Sequence, residues 1–331
     1  MHRRSGRYGG WPMSVSSNGE RPRPTHCALL YRDEQEYLDA VLPIIADGIT
    51  LGEPVLIGAT PDKLAVLREA LGAVAAEVTL ADITEVGRNP GRILGVLSAF
   101  VAMHSGRPVR MVGEPVWPAR SAEEYPACVE HEVLVNRAFA GRQVLAACPY
   151  DAGQLDERVL ADARTTHPWV CDGGSTYPSD DYAPDEAWAR YNQPLSTDPT
   201  ASTFTVTALT ELSAARLFVA EYGRSLGLPP ARVADLKVIA TELATNSLQR
   251  TGAACKLALW QHNDHVVCQA SDSGRLDDPL AGHRQPFEDP SGRGLFLVNA
   301  IADLVRTHTT TSSTTIQAHL RLPAPGNSAA L

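Results

Sequence analysis

From His26 the chain alternates short apolar runs with stretches of helical period. His26–Tyr31, Pro54–Ala59, Val78–Ala81, Val109–Val112 and Gln143–Cys148 read as strands. Between and after them lie helical stretches at Asp33–Gly48, Pro61–Leu71, Pro90–His104, Glu123–Ala140 and Leu155–Thr165. In the first of these, Tyr37, Leu38, Val41, Leu42 and Ile45 share one side. Near-continuous apolar strands separated by helices predict a parallel sheet covered on both faces. Trp169–Ser202 is rich in Gly, Pro and Asp and predicts an extended linker with a short helix at Pro184–Tyr191. Beyond Thr203 the order changes. A long helix, Ala231–Arg250, opens after Pro229-Pro230, repeats Val233, Leu236, Ile239, Ala240, Leu243 and Ala244, and ends at Thr251-Gly252. Strands Cys255–Trp260 and His265–Ala270 flank a hairpin turn at Asn263-Asp264. A helix at Leu295–Leu304 and a hairpin, Thr307–Thr311 with Thr314–Leu322, complete the pattern.

Polar residues gather where this pattern breaks. Thr241–Ser247 places Glu242 and Asn246 four residues apart, one above the other on a helical face. A carboxylate there can polarise a hydroxyl or a water, and an amide oxygen can ligate Mg²⁺. Taken alone, such a pair is ordinary solvated helix surface. Downstream, the second strand runs into Asp272-Ser273-Gly274, and Arg275–Ser291 reads as an aperiodic loop. Gly292-Arg293-Gly294 then opens a helix, where backbone N–H groups can approach phosphate. In the first half, ligands of a parallel sheet gather at the carboxyl ends of its strands. Those ends supply Glu114 and Tyr150, and the intervening helix carries His131, Glu132 and Asn136. With His26 these form a candidate set for a small ligand or a metal: His26, Glu114, His131, Glu132 and Tyr150. Two histidines without a close third ligand carry only a weak metal signal.

The order of Glu/Asn helix, hairpin, Asp-x-Gly, long loop, Gly-x-Gly helix and Thr-bearing hairpin resembles the Bergerat (GHKL) ATPase fold of histidine kinases and gyrase. Within that group, Thr203–Pro323 looks most like the serine kinases that act as anti-sigma factors. The resemblance implies an α/β sandwich that binds ATP and Mg²⁺. It makes Glu242 the base that activates an attacking hydroxyl and Asn246 the Mg²⁺ ligand. Asp272 would accept from the adenine amino group, with Gly274 allowing close approach. Gly292, Arg293, Gly294 and Leu295 would lie at the phosphates under an ATP lid, and Thr314 or Thr315 would lie near the base. Only one glycine follows Asp272, where the family often has Asp-x-Gly-x-Gly. The implied partners are a sigma factor and an anti-anti-sigma (STAS) protein, and the implied assembly is a homodimer. The first half, about Thr25–Val170, resembles the MEDS sensory domain of DcmR-type regulators. That resemblance implies a RecA-like α/β sensor, although no G-x-x-x-x-G-K-[ST] loop occurs in the chain.

The expected organisation is a disordered tail over 1–24, a sensory domain over 25–170, a linker over 171–202, an ATPase domain over 203–323 and a second tail over 324–331. The first tail has no apolar core for a signal peptide, and Met13 is an alternative start. A net charge of −9 argues against nucleic acid as a direct partner. No apolar run approaches the length that spans a bilayer. Six cysteines without C-x-x-C spacing read as reduced thiols of a cytoplasmic protein. Three functions fit: a Ser/Thr kinase of an anti-anti-sigma partner, a sensor histidine kinase, and a non-catalytic ATP-gated binding protein. The second needs an exposed His on a helical hairpin. His167 is followed by Pro168, which disfavours a continuous helix there.

Overall fold

Apolar strands buried on both faces need helices above and below, and this sets the first half of the fold. The computed structural model describes residues 25–284 and 292–323; the expected tails and residues 285–291 of the expected lid lie outside them. Two compact units result. One takes in the chain up to Gly87 together with Ala99–Trp188, and the other Arg88–Ser98 together with the chain from Ala189.

The elements of the first half are β1 (His26–Tyr31), α1 (Glu34–Leu51), β2 (Val55–Ala59), α2 (Pro61–Leu71), β3 (Thr79–Asp82), α3 (Ile83–Val86), α4 (Pro90–Met103), β4 (Val109–Gly113), α5 (Tyr125–Ala138), β5 (Val144–Asp151), α6 (Glu157–Thr166), β6 (Trp169–Asp172), β7 (Ser175–Pro178) and α7 (Pro184–Tyr191). The sheet order is β3-β2-β4-β5-β1-β6-β7. Its strands run parallel except β7, which is antiparallel to β6. This is the helix-covered parallel sheet expected of the RecA-like α/β class.

Every residue of β1 is buried. On one face Cys27, Leu29 and Tyr31 meet Tyr37, Val41, Ile44 and Ile45 of α1. On the other, Ala28 and Leu30 pack with Cys128, Cys148, Tyr150, Leu160 and Ala163. Asp33 starts α1 by accepting the Glu36 N–H at 2.8 Å, and Gly52 ends it at φ 66°. Part of the expected linker is sheet: β6 pairs with β1, and β7 returns through Gly173-Gly174 at φ 55° and 77°. Two successive positive φ values are the turn a two-residue hairpin needs, and Gly takes them without strain.

The second unit contains β8 (Ser202–Val206), α8 (Leu212–Ser225), α9 (Pro230–Thr251), β9 (Cys255–His262), β10 (His265–Asp272), α10 (Arg293–Ile301), β11 (Leu304–Thr309) and β12 (Thr314–Arg321). Its sheet is antiparallel with order β11-β12-β10-β9-β8. The three helices cover one face, where Val219, Leu236, Ile239 and Leu243 meet Leu257, Leu259, Val266 and Ile316. The start of α4 belongs to this unit. Asn89 is buried there and donates to the Asn299 carbonyl at 2.9 Å. The α10 helix begins and ends earlier than its apolar period predicts. Leu304 is the first residue of β11 rather than the last of a helix, because the Asp303 N–H is taken by the His319 carbonyl at 2.9 Å.

Candidate functional site

The buried stripe of α9 runs Leu236, Ile239, Ala240, Leu243, Ala244 and then Ser247. Glu242 and Asn246 flank it, half-buried, one turn apart. Ser247, the polar break in the apolar stripe, donates to Asp272 Oδ2 at 2.6 Å. Asp272 ends β10, and its Oδ1 accepts the Gly274 N–H at 2.8 Å. An ionised carboxylate offers about four acceptor sites, so two remain for another donor. Thr314 faces Asp272 across the β10–β12 register and donates to the Gly274 carbonyl at 2.8 Å. Thr315 pairs instead with Ser271, their hydroxyls 3.3 Å apart.

The α10 N-terminus closes the other side. Gly292 caps it, Arg293 is exposed, and Leu295 is buried in the core. Leu295 can therefore offer a ligand only its backbone. A Cβ on Gly294 would stand 2.5 Å from Glu242 Oε2, so the missing side chain is what lets that carboxylate lie against the first turn of α10. Asn299 anchors the described end of the expected lid by donating to the Gly282 carbonyl at 3.1 Å. Ser247 is the functional candidate that sequence reading missed. Its signal was a hydroxyl at a core position of a helix already singled out.

The five sensory candidates divide. Glu114, just beyond β4, is fully buried; its Oε1 accepts from Tyr31 at 3.0 Å and pairs with the Lys63 ammonium. Its Oε2 has no hydrogen-bond partner among the described residues. Burial pushes the Glu114 carboxyl up, while Lys63 opposes that shift. Tyr31 and Lys63 reach a cavity of about 550 Å³, also lined by Tyr37, Trp117, Asp151 and Gln154. It opens at the carboxyl ends of the strands, the usual ligand position of such sheets. Lys63 carried no signal in the sequence, because an isolated Lys on a helix is usually solvated.

His26, Glu132 and Tyr150 meet elsewhere, with two residues not foreseen, Cys148 and His167. In the parallel register His26 lies opposite Ala146, and Ala28 opposite Cys148. His26 and Cys148 therefore project on one sheet face, beneath Glu132 of α5. His26 Nε2 is 3.1 Å from Glu132 Oε2, and His167 Nε2 is 3.4 Å from the same oxygen. Cys148 Sγ lies 3.4 Å from Glu132 Oε2 and 3.5 Å from His26 Nε2. Tyr150 donates to Glu132 Oε1 at 2.9 Å. Burial pushes the Cys148 thiol well up, and Glu132 adds to it. Burial, then the neighbouring His167, lowers His26. His131 sits about 100° around α5 from Glu132 and is not one of the four clustered residues. His167 ends a ten-residue helix and is fully buried, so it is no exposed phosphoacceptor.

A five-stranded antiparallel sheet under three helices, with an acid–amide helix, a strand-end Asp and a Gly-led helix, is the arrangement expected of a histidine-kinase-like ATPase fold. Comparison with known families agrees: residues 205–320 match the family model described as a histidine kinase-like ATPase domain, and residues 25–168 match that of the MEDS (MEthanogen/methylotroph, DcmR Sensory) domain. No curated protein matches the chain. Among solved structures, a chain of the SiaB–SiaC complex from Pseudomonas aeruginosa is similar at 14% identity. That match covers 36% of this chain and 88% of the other, with a TM-score of 0.31. No described helix is long and apolar enough to cross a membrane.

Proposed function

We propose that the chain is a regulator in which a sensory domain controls an ATP-dependent Ser/Thr kinase acting on an anti-anti-sigma (STAS) protein. The observation that carries this reading is the packing of the Glu242 carboxylate against the first turn of α10, one helical turn from Asn246. The residues fit nucleotide and cation. Gly294 lets the Glu242 carboxylate lie against the helix start, and Asp272 keeps acceptor capacity while Ser247 and Gly274 fix its orientation. Asp272 would accept from the adenine amino group, and the N–H groups of Gly292, Arg293, Gly294 and Leu295 would face phosphate. Asn246 would hold Mg²⁺, which supplies charge neutralisation of the phosphates. Glu242 takes the proton of the attacking Ser or Thr hydroxyl as that oxygen bonds to the γ-phosphorus and ADP leaves. Thr314 holds the Gly274 turn in place. The resemblance adds a sigma factor, held when the partner is phosphorylated, and a homodimer.

Transfer of labelled phosphate from ATP to the cognate partner tests the reading. Wild type is expected to transfer. Glu242→Ala is expected to bind ATP and lose at least 100-fold in rate, within the usual range for a lost general base. ATP bound without transfer by wild type would sink the kinase assignment and favour a binding protein gated by nucleotide. In the sensory unit, the cavity beside Tyr31, Lys63 and Trp117 is the proposed place for a small ligand.

A further inference from the structure

We propose that His26 Nε2, His167 Nε2, Glu132 Oε2 and Cys148 Sγ together bind one divalent transition-metal ion of the zinc class in a closed tetrahedral site. This stands apart from the kinase reading and rests on the first unit alone.

His167 Nδ1 is 2.8 Å from the Ala163 carbonyl, which can only accept. Its proton is therefore on Nδ1. The amide nitrogen of Asn136 donates to the Glu132 and Thr166 carbonyls at 3.1 and 2.8 Å, which fixes the flip of that side chain. Asn136 Oδ1 then accepts from His26 Nδ1 at 3.0 Å. Both imidazoles thus spend their Nδ1–H outward and turn Nε2 lone pairs toward one carboxylate oxygen. His167 Nε2 is buried, and its approach to Glu132 lacks hydrogen-bond geometry. One thiol proton cannot satisfy three inward acceptors.

A cation answers the arrangement. The four ligand atoms all lie within 4.8 Å of one another. Four of the separations run from 3.1 to 3.5 Å. Bonds of about 2.0–2.3 Å give tetrahedral edges of about 3.3–3.8 Å, so these four of the six edges need little movement. Two neutral imidazoles, a carboxylate and a thiolate balance a dication. The mixed N₂OS set suits zinc or cobalt rather than magnesium or calcium, which prefer oxygen alone. The supporting contacts are those of a built metal centre: Asn136 and the Ala163 carbonyl orient the two rings, and Tyr150 holds Glu132 Oε1 so that Oε2 faces inward. Binding converts the Cys148 thiol to a metal thiolate and releases one proton to solvent. With four protein ligands and no open position the site is structural, tying β1, β5 and α5 to the α6–β6 junction.

The test is cobalt titration of the chelator-stripped full chain, its fold checked by circular dichroism. One equivalent should bind, with intense visible d–d bands and a thiolate-to-cobalt charge-transfer band in the near ultraviolet. Cys148→Ser should lose the charge-transfer band. Asn136→Ala should keep the spectrum and weaken affinity about 10–100-fold. A folded, stripped chain that takes up no cobalt overturns the site. So does uptake whose stoichiometry and spectrum are unchanged in Cys148→Ser and His167→Gln, because the ion is then bound elsewhere.

Discussion

Ser247 shows how a residue acquires a role that its neighbours in sequence do not reveal. Its hydroxyl is buried and bonded to a carboxylate, an interaction usually contributing about 1.5–3 kcal/mol. Ser247→Ala is expected to lower stability in urea by about 1–2 kcal/mol and to raise the Kd for ATP, because Asp272 loses the contact that aims it. Equal ATP affinity in the variant would detach Ser247 from the site. Glu242 and Asn246 were legible because four-residue spacing places them together in any helix. The Ser247–Asp272 pair was not, since it depends on how α9 lies on β10. The same holds for His319, whose burial, reinforced by His265, Arg306 and His262, lowers its folded-state pKa to about 3. An unfolded histidine titrates near 6.5. His319 must therefore stay neutral to remain folded, and stability is fully present above about pH 6.5. It is lost as pH falls toward 3, by up to about 1.4 kcal/mol per pH unit. His319→Gln should flatten that slope in urea titrations between pH 6 and about 4.

At the scale of elements, apolar period located most of the helices and strands, though not β8 and α8, while their ends were decided by tertiary partners. The α10 helix is the case with a functional consequence. Gly292 and Gly294 were legible as a helix opening, but the reason for Gly294 is Glu242, 52 residues earlier in the chain. Gly294→Ala separates the two influences. Inside a helix, Ala is favoured over Gly by about 1 kcal/mol. The new Cβ meets the far end of the Glu242 side chain, which can swing away at little cost to folding. Thermal stability should hold or rise while phosphate transfer falls. A variant with full transfer would show that the Glu242 position against α10 is not needed for chemistry. Within the expected linker the helix Pro184–Tyr191 forms as read, but two strands that were not read precede it. Strands of only four residues, Trp169–Asp172 and Ser175–Pro178, are too short for alternation to register among Pro and Asp, although Gly173-Gly174 was a usable turn signal.

For the whole molecule, the division into two units makes unfolding separable, and ligands assign the transitions. A compound bound only by the native form of one unit raises that unit's melting temperature by mass action. ATP with Mg²⁺ should raise one transition in calorimetry, and a chelator should lower the other if the His26–Glu132–Cys148–His167 site holds its ion. Asn89 then reports a feature no local pattern could disclose. It lies just before α4, between predicted elements of the sensory half, yet Arg88–Ser98 belongs to the unit containing the ATPase domain. Asn89 is fully buried; it donates to the Asn299 carbonyl and accepts the Val305 N–H at 3.3 Å. Asn89→Ala leaves those backbone groups buried without a partner, at a cost of about 1–3 kcal/mol each. The loss should appear in the transition that ATP raises, with the chelator-sensitive transition unmoved. A shift confined to the chelator-sensitive transition would return Arg88–Ser98 to the sensory unit. Because Asn299 also holds the Gly282 end of the expected lid, the variant should further weaken ATP binding, measurable by titration at a temperature where both units remain folded.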